Sequence, residues 1–246
     1  MPCPLEVADV TDVEDVETAV GRDDFLTARL RGAHDTGYLG GGKDAFRSGG
    51  FWGTLRRMSA NERLFASIFR RHTVVVEKSI ALLPNIERAA RLILRVLKGK
   101  KKVLVCGNGG SAADSQHFAA ELVGHYSKDR RALPAVALTT DSSALTSIGN
   151  DYGFEEIFSR QVEALGEKGD VLIAISTSGS SKNVLNAIAA ARKKKMHVIV
   201  LTGEKGKALQ KRVDVAIVVP SKETARIQEV HELVYHAWCE YIDANL

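Results

Sequence analysis

The chain has 246 residues, 45% of them hydrophobic and 26% charged, with a formal net charge of +4. That length supports one sizeable core, or one core plus a small appendage, and the charge is too modest to argue for a nucleic-acid partner. No apolar run approaches the roughly 20 residues of a membrane-crossing helix, and the first residues lack the basic-then-apolar order of a secretion signal, so a cytoplasmic protein is expected.

Residues 1–57 read differently from the rest. LEVADVTDVEDVETAV is acidic and suits a short helix, whereas GYLGGGKDAFRSGGFWG is glycine-rich without periodicity; together they predict a flexible or loosely packed extension. From residue 58 the pattern sharpens into the predicted domain, 58–246. SANE at 59–62 fits a capping box, and Leu64, Ile68, Val75, Ile80 and Leu83 run along the helix it opens, punctuated by Pro84. A second helix is expected over about 85–97, with Ile86, Ala89, Leu92, Ile93 and Leu97 inward. Short apolar runs then alternate with helical segments: KVLVC, the helix SAADSQHFAAEL, PAVAL, the helices SSALTSIGN and FEEIFSRQVEAL, DVLIAIS, the helix SSKNVLNAIAAARKK, HVIVLT, VDVAIVV, and a last helix over about 225–243. This alternation indicates a parallel sheet covered on both faces. The basic runs Lys98–Lys102 and Lys193–Lys195 fall at helix C-termini, where cations complement the helix dipole. Cys3, Cys106 and Cys239 form no pairing motif, which fits free thiols in a reducing compartment.

Three strand ends carry polar, glycine-rich loops, the place where such sheets bind ligands. CGNGGS, Cys106 to Ser111, lets backbone approach a ligand and ends at a helix N-terminus with unpaired N–H groups. It matches neither a dinucleotide fingerprint nor a P-loop. STSGSS, Ser176 to Ser181, offers hydroxyls and N–H groups that can surround a phosphate without a lysine. GNDYG, Gly149 to Gly153, places Asn150 and Asp151 where they can meet sugar hydroxyls. On the helix that follows the first loop, His117 and Glu121 are four residues apart and share a face. In RIQEVHELVYH, Gln228 and His236 are two turns apart on one face, while Glu229 and His231 fall elsewhere. A carboxylate and an imidazole facing adjacent sugar carbons suit proton shuttling. His117, Glu121, Gln228 and His236 could also hold a metal, although glutamine is an uncommon ligand and zinc does not follow from the residue types alone.

CGNGGSAADSQHFAAEL, the segment from ALTTDSSALTSIGNDYG through STSGSS, and TARIQEVHELVYH, in that order, resemble the sugar isomerase (SIS) domain family, in its heptose-phosphate branch. The resemblance runs from about Ser59 to the C-terminus. It implies a flavodoxin-like three-layer αβα sandwich around a central parallel sheet, preceded by N-terminal helices, and a homotetramer with active sites at subunit interfaces. It also implies conversion of sedoheptulose 7-phosphate to D-glycero-D-manno-heptose 7-phosphate through an enediol, in heptose biosynthesis for lipopolysaccharide or capsule. Carried over by position, Asn108, Gly109, Gly110 and Ser111 line the substrate, as do Asn150 and Asp151. Ser176, Thr177, Ser178 and Ser181 hold its phosphate. Glu121 and His236 match the acid–base pair. His117, Glu121, Gln228 and His236 match the ligands of one Zn2+ per subunit, with Glu121 and Gln228 also touching substrate. LTGEKGKAL departs slightly from the family's LTGxxGG. A non-catalytic relative that binds the replication initiator would lack the Glu121–His236 pair; another SIS enzyme on a different sugar phosphate is the remaining alternative.

Overall fold

The computed structural model describes residues 58–246; the extension read in residues 1–57 lies outside the described residues. Two helices lead in. Helix α1 (Ala60–Ser79) starts on the expected capping box: Ser59 Oγ accepts the Glu62 N–H at 3.2 Å, and Glu62 Oε2 accepts the Ser59 N–H at 2.7 Å. Helix α2 (Leu83–Lys98) begins with Pro84 in its first turn, where the missing N–H costs nothing. Both basic runs sit as expected, with Lys98 in the last turn of α2.

Five strands follow, β1 (Val103–Gly107), β2 (Ala135–Ala137), β3 (Val171–Ser176), β4 (His197–Gly203) and β5 (Val215–Val219). All pairings are parallel, in the order β2-β1-β3-β4-β5. Between them run α3 (Gly110–Val123), α4 (Ser142–Tyr152), α5 (Ser159–Leu165) and α6 (Lys182–Lys193); α7 (Thr224–Asn245) closes the chain. Strand side chains alternate between two cores. Val105, Ile173, Leu201 and Ile217 pack with α2, α3 and α7, including Phe118, Tyr235 and Trp238. Leu104, Leu172 and Val200 pack with α5 and α6, including Phe158 and Ile188. Burying each such large side chain contributes about 1.5–3 kcal/mol. The result is the expected three-layer αβα sandwich of flavodoxin-like strand order. Its topological switch point lies between β1 and β3, so a ligand is expected at their carboxyl ends.

Three local expectations are corrected. The apolar stripe of α1 is not covered among the described residues: Leu64 is 56% exposed, its neighbours Phe65 and Phe69 are 59% and 72% exposed, only Val75 and Ser79 are buried on that helix, and Ile80 and Leu83 fall beyond its end. FEEIFSRQVEAL is not one helix but a 3-10 turn, Phe154–Glu156, followed by α5. Ser159 Oγ donates to the Glu156 carbonyl at 3.0 Å, a side-chain bond that competes with helix continuation. Asn150 and Asp151 are not in a loop but in the last turn of α4, which stops at Gly153 with φ 95.

Candidate active site

The site grows from the first strand end. β1 runs into Asn108 and Gly109, whose φ of 56 with ψ of −123 is a backbone conformation that glycine adopts most readily, and α3 starts one residue later. The turn is tight, since a Cβ on Gly107 would come within 2.6 Å of the Ser111 carbonyl oxygen. Helix α7 lies beside α3 in matched register. At the base, Gln228 packs on Gly110 so closely that a Cβ there would meet its Nε2 at 2.4 Å. Two turns on, His117 meets Tyr235 and His236, with ring centroids 5.5 and 5.0 Å away. Beyond the helix ends, Arg130 joins the two. Its Nε donates to Asp243 Oδ1 at 2.7 Å on α7, and its Nη2 and Nη1 donate to the Glu121 and Leu122 carbonyls at 2.8 and 2.9 Å on α3. The guanidinium thereby caps the α3 C-terminus, where positive charge is favourable.

His117 is engaged from both nitrogens. Nε2 faces Glu121 Oε1 at 3.1 Å, and Nδ1 faces the Tyr235 hydroxyl at 3.0 Å and Glu232 Oε1 at 3.7 Å. A neutral ring with its proton on Nε2 donates to Glu121 and accepts from Tyr235. Tyr235 can serve as that donor because burial, reinforced by the charges of Asp114 and Glu232, raises its phenol well above the ordinary range. Asp114, one turn before His117, has a buried Oδ2 without a hydrogen-bond partner. Burial and the neighbouring Glu232 charge, opposed by His117, push its carboxyl up to about 6.

Ligand atoms of His117, Glu232 and His236 lie within 4.8 Å of one another. Two imidazoles and a carboxylate converging this closely are donors that a zinc ion accepts, so the residue types and their spacing fit a metal. The four ligands expected from the sequence are only partly assembled within one chain. His117 stands beside Glu121 and His236, but Gln228 sits at the level of Gly110, seven residues or roughly 10 Å down the helix pair at 1.5 Å per residue.

The second strand end forms the serine loop. Ser176 Oγ bonds Ser181 Oγ at 3.2 Å and accepts the Gly179 N–H at 3.1 Å, and Ser178 Oγ bonds Ser180 Oγ at 2.9 Å. Gly179 has φ 68 and rests against Gly206, whose Cα a Cβ would meet at 2.3 Å. The stretch that departs from the family pattern, LTGEKGKAL, therefore keeps the one glycine this contact requires. Asn108, just past β1, and Ser176, the last residue of β3, sit at the ends of adjacent paired strands, whereas Asn150 and Asp151 are exposed and bond each other at 2.8 Å. Asp151 lines a separate shallow cleft with Asp141 and Arg160.

Four residues beside the expected set escaped the sequence reading: Asp114, Asn183, Glu232 and Tyr235. Glu232 lies four residues from both Gln228 and His236 on the same face, a spacing that could have flagged it. Asp114 lies three before His117. Nothing in the sequence marks Tyr235 or Asn183. Conversely, His231 is a core residue: it is fully buried, its Nε2 is 3.4 Å from the Thr202 carbonyl, and burial lowers its pKa to about 4. The buried thiols Cys106 and Cys239 are each pushed up to about 12 by burial and are not poised nucleophiles.

The sequence profile of the SIS domain matches residues 67–203. A phosphoheptose isomerase of Campylobacter concisus is 54% identical over 70% of this chain and 91% of its own length. Among solved structures, a phosphoheptose isomerase of Neisseria gonorrhoeae superposes with a TM-score of 0.71 at 49% identity, covering 76% of this chain and 100% of that one. One from Francisella tularensis gives 0.72 at 42% identity, with the same coverage of both chains.

Proposed function

The chain belongs to the SIS domain family and to its phosphoheptose isomerase branch, an aldose–ketose isomerase, and from that premise we propose how its residues carry the reaction. The carrying observation is the placement of two loops rich in N–H and hydroxyl groups at the β1/β3 switch point, with His117, Glu121 and His236 on the helices beside them. The serine loop, Ser176, Thr177, Ser178 and Ser181, takes the phosphate of sedoheptulose 7-phosphate. Asn108 to Ser111 line the sugar, with Asn150 and Asp151 as further hydroxyl contacts. Glu121 removes a proton from C1 and returns it to C2; His236 protonates O2 and takes the proton from O1, leaving the aldehyde. His117, Glu121, Gln228 and His236 would hold one zinc ion supplying Lewis acidity toward the carbonyl oxygen, and Glu121 would then have to leave the metal before it takes the C1 proton. Tyr235 orients His117 through Nδ1; with a metal on Nε2 the ring would carry its proton on Nδ1 and donate it to the Tyr235 oxygen, the role of a group behind a metal-binding histidine.

The enzyme works as a homotetramer with active sites at interfaces between copies, in the cytoplasm, supplying heptose for lipopolysaccharide or capsule. Two features support the assembly: the apolar face of α1, which nothing among the described residues covers, and the distance between Gln228 and the His117 level, which a residue from a second copy would close. The test is an isomerase assay with sedoheptulose 7-phosphate on metal-stripped protein, then with zinc restored. Activity returning with zinc supports substrate and metal together. Activity without zinc keeps the substrate and leaves Glu121 as a free base. Inactivity under both conditions overturns the reading.

A further inference from the structure

The two ligand loops are tied by a pair of side chains, one of which, Asn183, has no part in binding or chemistry in the isomerase reading. Asn108, in the turn between β1 and α3, and Asn183, in the first turn of α6, exchange hydrogen bonds. Asn108 Nδ2 donates to Asn183 Oδ1 at 2.9 Å, and Asn183 Nδ2 donates to Asn108 Oδ1 at 2.9 Å. Asn183 is buried, and its Oδ1 accepts a second bond from the Val184 N–H at 2.9 Å, which pins the amide to its own helix. An amide has one acceptor end and one donor end, so the two must face each other in opposite sense, and the Val184 N–H on Asn183 Oδ1 selects which sense. A single replacement leaves a part-buried amide unpaired.

The position of this clasp gives it a consequence for turnover. Asn183 follows the serine loop by two residues, and Asn108 precedes by two the helix that carries His117 and Glu121. The strands beneath are neighbours, with Gly107 paired to Ile175. The clasp is therefore a side-chain bond across the switch point, between the group that holds a phosphate and the helix that presents the acid–base residues. A heptose phosphate has its phosphate at C7 and its reacting carbons at C1 and C2. The separation of the two loops thus sets where C1 and C2 fall relative to Glu121 and His236. On its other flank the serine loop is held by backbone alone: the Gly203 N–H donates to the Thr177 carbonyl at 3.1 Å, and Gly179 rests against Gly206.

We propose that Asn183 is a positioning residue: through its reciprocal bonds to Asn108 it fixes the serine loop relative to α3 and so sets the register of the bound sugar phosphate on the acid–base pair. The inference rests on the isomerase reading. It asks nothing of the metal.

The experiment measures kcat and KM for sedoheptulose 7-phosphate, together with the inhibition constant of inorganic phosphate, in wild type, Asn183→Ala, Asn108→Ala and the double variant. Misplacement by about 1 Å costs on the order of 100-fold in rate. Asn183→Ala is expected to lower kcat about 10- to 100-fold while phosphate inhibition stays within about threefold, because the serine hydroxyls and N–H groups remain. The double variant should fall no further than the more impaired single variant, since either change opens the clasp. If Asn183→Ala does not fold, Asn183→Asp keeps the acceptor for Val184 and suits a helix start. It replaces the donor to Asn108 with a carboxylate oxygen that faces Asn108 Oδ1, which opens the clasp, and must show the kcat loss at saturating substrate. An unchanged kcat, fully additive losses, or phosphate affinity falling in step with kcat/KM would each overturn the proposal. An inactive wild type would instead sink the isomerase reading.

Discussion

Replacing Asp243 with alanine tests what holds the site helices together. Asp243 on α7 and Arg130 form an ion pair at 2.7 Å whose side chains are 1% and 9% exposed. The carboxylate also accepts the backbone N–H groups of Ser127 at 3.0 Å and Lys128 at 3.2 Å. Burial works against its charge, but these bonds and the guanidinium outweigh burial and hold its pKa below the ordinary carboxylate value. Removing one partner of a buried pair costs about 3–5 kcal/mol, because the other charge stays buried without compensation. Arg130 keeps its contacts to the Glu121 and Leu122 carbonyls, which places the loss toward the lower end. For a unit of this size about 1 kcal/mol corresponds to roughly 2–4 °C, so Asp243→Ala should melt about 6–12 °C below wild type in calorimetry. Arg130→Met combined with Asp243→Met removes both charges and should lose clearly less than the two single variants summed. A fall below about 3 °C for Asp243→Ala, or strict additivity, would refute the account of α3 and α7 as joined by this pair. The pH dependence has a definite sign. A depressed carboxylate contributes stability that is present above its unfolded pKa, near 3.8, and is lost as pH falls through the lower folded value.

Glu121→Gln should lower kcat about 100- to 10,000-fold, the range of general acid–base catalysis, with the melting temperature within about 3 °C of wild type; retained turnover would remove Glu121 from the chemistry. Gly110→Ala would place a Cβ 2.4 Å from Gln228 Nε2, the mobile end of a flexible side chain. The fold should survive, while zinc affinity in a calorimetric titration falls about tenfold or more as Gln228 swings away, and an unaltered affinity would show that this contact does not place Gln228 as a ligand. His231, lowered to about 4 by burial, stays neutral in the fold while the unfolded chain protonates near 6.5. Its stabilising contribution is complete above pH 6.5 and is lost as pH falls toward 4. The melting temperature should therefore drop between pH 7 and pH 5, and a flat profile there would contradict a neutral buried His231.

Much of this architecture is written in local pattern. The short, β-branched apolar runs of β1 and β3 fit strands covered on both faces, and their alternation with the 3.6-residue stripes of helices such as α2 and α6 indicates a parallel sheet with helices on both sides and polar loops at its strand ends. The pairing of His117 with Glu121 follows equally from a spacing of four on one helix. What no local pattern carries is which elements come to lie side by side. Gln228 and His236 share a face of α7, yet the parallel packing of α7 on α3 sets Gln228 against Gly110 and His236 against His117, because helix rise is fixed and the two helices run in register. The same packing makes neighbours of Asp114, Glu232 and Tyr235, and the β1–β3 pairing makes neighbours of Asn108 and Asn183, 75 residues apart in sequence. Periodicity marked an apolar stripe on α1, but only the tertiary structure shows that nothing in residues 58–246 covers Leu64, Phe65 and Phe69. Spacing decides which side chains share a face; long-range packing decides what that face meets.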